Sequence, residues 1–178
     1  METQASTTPQ QGSLTDNPSG IRASRPRTPA EYGVPASTEG LLPWSHVRGR
    51  MTAARQYWVC TVGPGNRPHA TPVDGLWLDD RLYFGGSPQT RWFRNLLDNS
   101  AACIHLESGT DVVTLHGEAS LEKLDHAAVL GLIEITQAKY GYTMKPEDYA
   151  PGAFVFRPRL VFAWTHYPDD VTRWTIER

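Results

Sequence analysis

Between Tyr57 and Gly85 the sequence has room for three strands and only tight turns between them. Tyr57-Trp58-Val59-Cys60-Thr61-Val62 is β-branched and aromatic, the composition that suits a pleated, half-buried surface. Gly63-Pro64-Gly65-Asn66 is turn chemistry. His69 to Leu78 reads as the second strand, and Asp79-Asp80 turns the chain into a third, Arg81 to Gly85. Strands joined so closely pair antiparallel, because a parallel neighbour needs a crossover of about a dozen residues or more.

The rest of the chain extends this pattern. Trp44 to Ala54 reads as a helix that follows Pro43, with Val47, Met51 and Ala54 on one stripe. Thr90 to Asp98 reads as a short helix, and Ala101 to Glu107 and Asp111 to Leu121 as two strands about the turn Ser108-Gly109-Thr110. A longer helix is expected over Leu124 to Tyr140, with Asp125 near its start and Gly141 closing it. Ala153 to Trp164 and Val171 to Ile176 complete seven strands, enough to close a small barrel. The expected fold is mainly β with flanking helices, an antiparallel, Greek-key-like barrel.

Residues 1–40 read differently. They are rich in Ser, Thr, Pro, Gln and Gly, with Leu14, Ile21, Tyr32 and Val34 isolated among them. Such a stretch buries too little apolar surface to offset its ordering entropy, so it is expected as a disordered tail before a domain over 41–178. A net charge of −2 argues against nucleic-acid binding through a large basic footprint. No run approaches the ~20 apolar residues of a membrane span, and no basic-then-apolar leader opens the sequence. Cys60 and Cys103 lie in apolar β-like runs outside any CxxC pair and read as small buried hydrophobes in a reducing, cytoplasmic setting.

Two segments carry site chemistry. In His69-Ala70-Thr71-Pro72-Val73-Asp74-Gly75, Pro72 lacks an amide donor and belongs at an edge or irregular stretch, where a flat ligand approaches the backbone. A barrel bulge without a ligand is the alternative. In Gly86-Ser87-Pro88-Gln89-Thr90-Arg91-Trp92-Phe93-Arg94-Asn95, hydroxyls, helix N-terminal amides and Arg91 converge as a phosphate site does. Here the alternative is an ordinary Ser/Thr helix cap.

Together with Tyr57–Val62, these segments, Leu82-Tyr83-Phe84, Val112 to Ala119, Phe162-Ala163-Trp164 and Thr172-Arg173-Trp174 resemble the pyridoxamine 5′-phosphate oxidase-like superfamily. The likeness covers about residues 43–178 and is nearest to the superfamily's flavin/deazaflavin oxidoreductases. The resemblance implies an FMN-binding split β-barrel, homodimeric, with cofactors at the dimer interface. By the same resemblance His69, Ala70, Thr71, Pro72, Val73 and Asp74 lie along the ring, and Phe84 and Gly85 lie near the ribityl chain. Ser87, Thr90, Arg91 and Asn95 hold or buttress the phosphate end. Trp164 and Arg173 approach from the C-terminal strands. The family's motif usually has Lys after the Arg; here Trp92 stands in that place, to stack on the cofactor or pack in the interface. That exchange favours coenzyme F420 over FMN.

The expected function is hydride transfer between that cofactor and a small conjugated, planar substrate, with the cofactor carrying the chemistry and no acid–base residue singled out. Rival readings are a non-catalytic cofactor carrier and a haem-binding barrel with His69, His105 or His116 on the iron. A hydrogen-bonded His105–His116 pair is expected ahead of any metal site, because the histidines form no HxH or HExxH pattern.

Overall fold

The structure, a computed structural model, describes residues 17–177. Along these residues run β1 (Ile21–Ser24), α1 (Trp44–Ala53), β2 (Gln56–Gly63), β3 (Arg67–Leu78), β4 (Arg81–Phe84), α2 (Arg91–Asp98), β5 (Ala101–His105), β6 (Val112–Glu122), α3 (His126–Tyr140), β7 (Ala153–Trp164) and β8 (Thr172–Ile176). All their pairings are antiparallel. Strands pair in the order β7-β4-β3-β2-β5-β6, and β6 returns to β7, closing a six-stranded barrel. The expected split-barrel class is the one observed.

Alternation decides what lies inside. On β2, Tyr57, Val59 and Thr61 are buried while Trp58 and Cys60 are half-buried on the outer face, the period-2 pattern of a strand with one face on a core. The interior is filled by Tyr57, Leu82, Ile104, Leu115, Phe154 and Phe156. Trp44, Val47 and Met51 are the buried stripe of α1, and Trp44 meets Trp174 of β8 edge-on at 5.7 Å. Asn95 of α2 is buried, its amide donating to the Thr61 hydroxyl at 2.9 Å, so the polar pair is satisfied inside. In α3, Asp125 caps the N-terminus by accepting from the Ala128 amide at 2.8 Å. Gly141 ends the helix in the left-handed region at φ 82°, where only glycine is free of steric penalty.

β7 borders three strands. Its first half lies between β4 and β6 and its second half between β6 and β8. The β6–β7 register shifts at His116/Gly117: His116 faces Leu160 and Gly117 faces Pro158. Arg159 is thus the extra residue of a bulge, beside a proline that has no amide to contribute. The strands approach so closely that a Cβ on Gly117 would lie 2.1 Å from the Arg157 carbonyl oxygen.

Residues 17–40 correct the expectation of a tail disordered to residue 40; residues 1–16 of that tail lie outside the described residues. β1 pairs with β8 over four residues, Ile21↔Ile176 to Ser24↔Arg173. The Arg25 guanidinium donates to the carbonyls of Val171 and Ser37 at 3.1 and 2.9 Å, and the Leu42 amide donates to the Thr172 hydroxyl at 2.8 Å. The free edge of β8 and these backbone bonds replace the apolar burial that the segment's own residues cannot supply.

The turn between β7 and β8 is held by Asp170. Burial alone would raise its carboxyl, but the Thr165 hydroxyl, the amides of His166 and Thr165, and the His166 ring hold it below the ordinary carboxylate value. Because the folded value lies below the unfolded one (about 3.9), its contribution is complete above the unfolded value and is lost as pH falls through the folded one. Asp170→Ala is expected to cost roughly 1–3 kcal/mol at neutral pH, with the gap to wild type closing in acid; urea unfolding at both pH values checks this. Gly117→Ala is expected to cost about 1–3 kcal/mol, read in the same unfolding midpoints.

Candidate functional site

β3 has two unlike halves. Arg67–Asp74 pairs with β2 on one side, while β4 joins the other side only from Gly75 to Leu78. Among the described residues, the half that holds His69 to Asp74 therefore presents an unpaired edge. Pro72 sits in this half, opposite Trp58, where its missing donor costs no ladder bond. The strand is continuous through Pro72 and Gly75, so the expected irregularity is an open edge, without a bulge. Gly75 marks the point where β4 arrives: a Cβ there would stand 3.1 Å from the Tyr83 carbonyl oxygen.

From Phe84 the chain leaves β4 and passes through Gly85-Gly86-Ser87-Pro88-Gln89 to α2. Ser87 and Thr90 fold this connection upon itself. The Thr90 hydroxyl donates to the Ser87 carbonyl at 2.8 Å, and the Gln89 amide to the Ser87 hydroxyl at 3.2 Å. No side chain caps α2. Thr90 stands at the N-cap position with its hydroxyl turned to Ser87, which leaves the first-turn amides and the positive helix end without a side-chain acceptor. Arg91 is exposed at this end. Trp92 is turned inward, 6% exposed, and packs against Phe84, Phe93 and Phe154 at ring distances of 5.5–5.6 Å. Its ring also lies under Gly86, where a Cβ would come within 2.8 Å. Phe84 is buried in the same cluster.

A groove of about 720 Å³ runs between Val73–Leu76, Tyr83–Thr90 and the C-terminal end of α3 with the loop after it. Among the expected site residues it gathers Val73, Asp74, Phe84, Gly85, Thr90 and Trp92. His69, Ala70, Thr71 and Pro72 continue from it along the open edge. Asn95 is inside, on Thr61, and buttresses β2. A Cβ on Gly63 would lie 2.8 Å from its Oδ1. Trp164 and Arg173 are not brought here by the single chain. Phe154 is the partner of Phe84, and from Phe154 to Trp164 the strand runs ~33 Å. Trp164 meets Tyr167, and Arg173 pairs with Phe162 and Ser24.

The far wall of the groove was not singled out from sequence. The end of α3 is fastened to Gly75: the Gly75 amide donates to the Tyr140 hydroxyl at 2.9 Å, and Lys139 Nζ donates to the Gly75 carbonyl at 3.0 Å and to the Tyr57 hydroxyl at 2.9 Å. The Tyr142 hydroxyl donates to Asp74 Oδ2 at 3.0 Å. Burial, then the Asp74 hydrogen bond and charge, push the Tyr142 hydroxyl up to about 12, so it stays a donor at neutral pH. Burial and then Arg55 lower the Lys139 ammonium, partly offset by Asp74. The available signal was the aromatic and basic run Lys139-Tyr140-Gly141-Tyr142 around a helix stop, but no periodicity says where a helix end docks.

The expected His105–His116 pair does not form. Cys103 faces His116 and His105 faces Thr114, and each ring has another partner: His105 stacks parallel to Trp58 at 6.0 Å, and His116 meets Phe162 edge-on. Among the described residues no three His, Cys, Asp or Glu side chains group as metal ligands, and no helix is long and apolar enough to cross a membrane.

The groove, open edge and uncapped helix stand on a fold shared with solved structures. A conserved hypothetical protein from Mycobacterium tuberculosis matches at TM-score 0.58 and 14% identity, covering 74% of this chain and 89% of that one. A protein described as an F420 reductase matches at 0.50 and 17%, covering 64% and 94%. HutZ, the haem storage protein from Vibrio cholerae, matches at 0.54 and 16%, covering 67% and 92%. At such identities the likeness is one of fold alone. No protein of curated function matches the sequence. The family model described as pyridoxamine 5′-phosphate oxidase matches residues 45–165, all six barrel strands and both walls of the groove, and the chain therefore belongs to that family.

Proposed function

We propose that the protein is an oxidoreductase that moves a hydride between coenzyme F420, or FMN as second choice, and a small planar conjugated substrate. The observation that carries the reading is the uncapped N-terminus of α2 opening beside a groove of about 720 Å³ and the unpaired edge of β3. That combination suits an anionic tail at one end and a flat ring along backbone at the other. Ser87, Thr90 and Arg91 would receive the phosphate; His69 to Asp74 would offer backbone groups to the ring; Phe84 and Gly85 would line the chain between them. Trp92, turned into the core, leaves the phosphate without the ammonium a lysine would bring, which is the ground for ranking F420 first. When bound, the cofactor supplies the hydride chemistry itself. The protein's part is to orient it, with Tyr142 and Lys139 holding Asp74 and Gly75 at the groove wall.

On this reading the protein is a cytoplasmic homodimer, and Trp164 and Arg173 reach the cofactor from a second copy. Membership in the family and the fold shared with an F420 reductase support the choice of cofactor class.

Titration with F420, FMN and riboflavin tests it. F420 is expected to bind at micromolar levels or tighter, and FMN at least about tenfold more tightly than riboflavin, because only FMN carries a phosphate for the helix end. Arg91→Ala is expected to weaken binding of either phosphorylated cofactor about tenfold, or ~1.4 kcal/mol, with unchanged circular dichroism. Absence of micromolar binding by both F420 and FMN overturns the reading. A Soret band on haem addition that one His→Ala change removes would replace it.

A further inference from the structure

The two cysteines are 43 positions apart in sequence, yet Cys60 of β2 and Cys103 of β5 are direct cross-strand partners. Both point to the outer face of the barrel, since their neighbours Val59, Thr61, Ala102 and Ile104 are buried inside. Both are half-buried free thiols. The sequence reads them as small buried hydrophobes; the structure leaves them partly buried and adds that they face each other. Directly opposed residues of antiparallel strands have Cα atoms roughly 4.5–5.5 Å apart, inside the roughly 4.4–6.8 Å that a disulfide spans. On the outer face the pair is flanked by Ala70 of β3 and His116 of β6, with the Trp58–His105 stack in the adjoining row. No bulky side chain stands between the two positions, because they face each other across one rung.

We infer that Cys60 and Cys103 form a reversible intramolecular disulfide when the protein meets a low-molecular-weight disulfide oxidant. The Cys60 thiolate attacks one sulfur of the oxidant and expels the other as a thiol, leaving a mixed disulfide on Cys60. Cys103, after losing its proton, then attacks the Cys60 sulfur and expels the second small thiol. Two S–H bonds are lost from the protein and one S–S bond is formed; the two electrons reduce the small disulfide to two thiols. Burial raises both thiols, and at Cys103 the charge of a Cys60 thiolate adds to it, to about 11; either thiol can open the sequence, the two roles then being exchanged. Thiolate is therefore scarce at neutral pH, and the reaction is slow there and faster in mild alkali. The neighbouring titratable and charged groups on this face are His105, His116 and, one row further along β6, Glu118 with its partner Arg159. The bond would tie β2 to β5 directly behind β3, whose Ala70 pairs with Cys60, and so brace the strand that carries the open edge.

The experiment treats the folded full chain with excess oxidised glutathione at mildly alkaline pH and follows intact mass and free thiols. The expected product is a chain about 2 Da lighter that is not disulfide-linked to a second chain, with both thiols lost, a raised melting temperature, and full reversal by dithiothreitol. Cys60→Ser and Cys103→Ser are each expected to fold as wild type and to stop at a single glutathione adduct. The inference fails if the folded wild type keeps both thiols while the urea-unfolded chain closes the bond. It also fails if wild type stops at a stable adduct, or if the product is a disulfide-linked dimer that reduction separates.

Discussion

Closure of the barrel rests on one strand. β7 carries backbone bonds to β4, β6 and β8, and it can do so because it is long enough to leave one neighbour and take another. Its ladder with β6 runs the length of both strands and is interrupted once, where Gly117, Arg157 and Pro158 crowd together. The bulge bends and twists the ladder locally, and a barrel needs such curvature to close. Phe154 and Phe156, on the first half of β7, fill the interior, while the second half carries Val161 and Ala163 toward Trp174 of β8. The hydrophobic core and the hydrogen-bond frame thus depend on the same strand.

The candidate site follows from where that frame stops. β4 spans only Arg81–Phe84, far shorter than β3, so most of β3 lacks a neighbour on that side. The chain released from β4 then turns into α2 without a capping side chain. An unpaired strand edge and an uncapped helix end are both unfilled hydrogen-bonding capacity. They lie on one groove, whose other wall is the end of α3 tied to Gly75 by Lys139 and Tyr140. Gly75 is therefore the hinge point of the arrangement: the last residue with room for β4's Tyr83 carbonyl on one side and the Tyr140 hydroxyl on its backbone.

Local patterns made most elements legible. The β-branched runs, the Gly-Pro-Gly-Asn turn, the Asp125 cap and the Gly141 stop each encode their geometry within a few residues, and the structure follows them closely. Pro72 correctly marked a stretch outside a two-sided ladder. β1 was missed because Ile21-Arg22-Ala23-Ser24 has a single large apolar residue and is held by the edge of β8, which comes some 150 residues later. Trp92 opens α2 and lines the groove, but most of its ring is buried: it lies beside Phe93 and over Phe154, and only the packed interior says that this face turns inward.

By itself the sequence determined that the chain makes an antiparallel, strand-rich domain with a Ser- and Thr-bearing strand-to-helix connection, because turns, caps and alternation are local in origin. Tertiary structure alone decided which distant residues meet. It set Cys60 opposite Cys103, parted His105 from His116 by a step of register, docked Tyr140 on Gly75, and left Trp164 of β7 and Arg173 of β8 away from the groove. The physical reason is register. A one-residue slip between strands exchanges inside for outside along the whole strand, and the closing of a barrel, which no short window of sequence contains, is what selects the register.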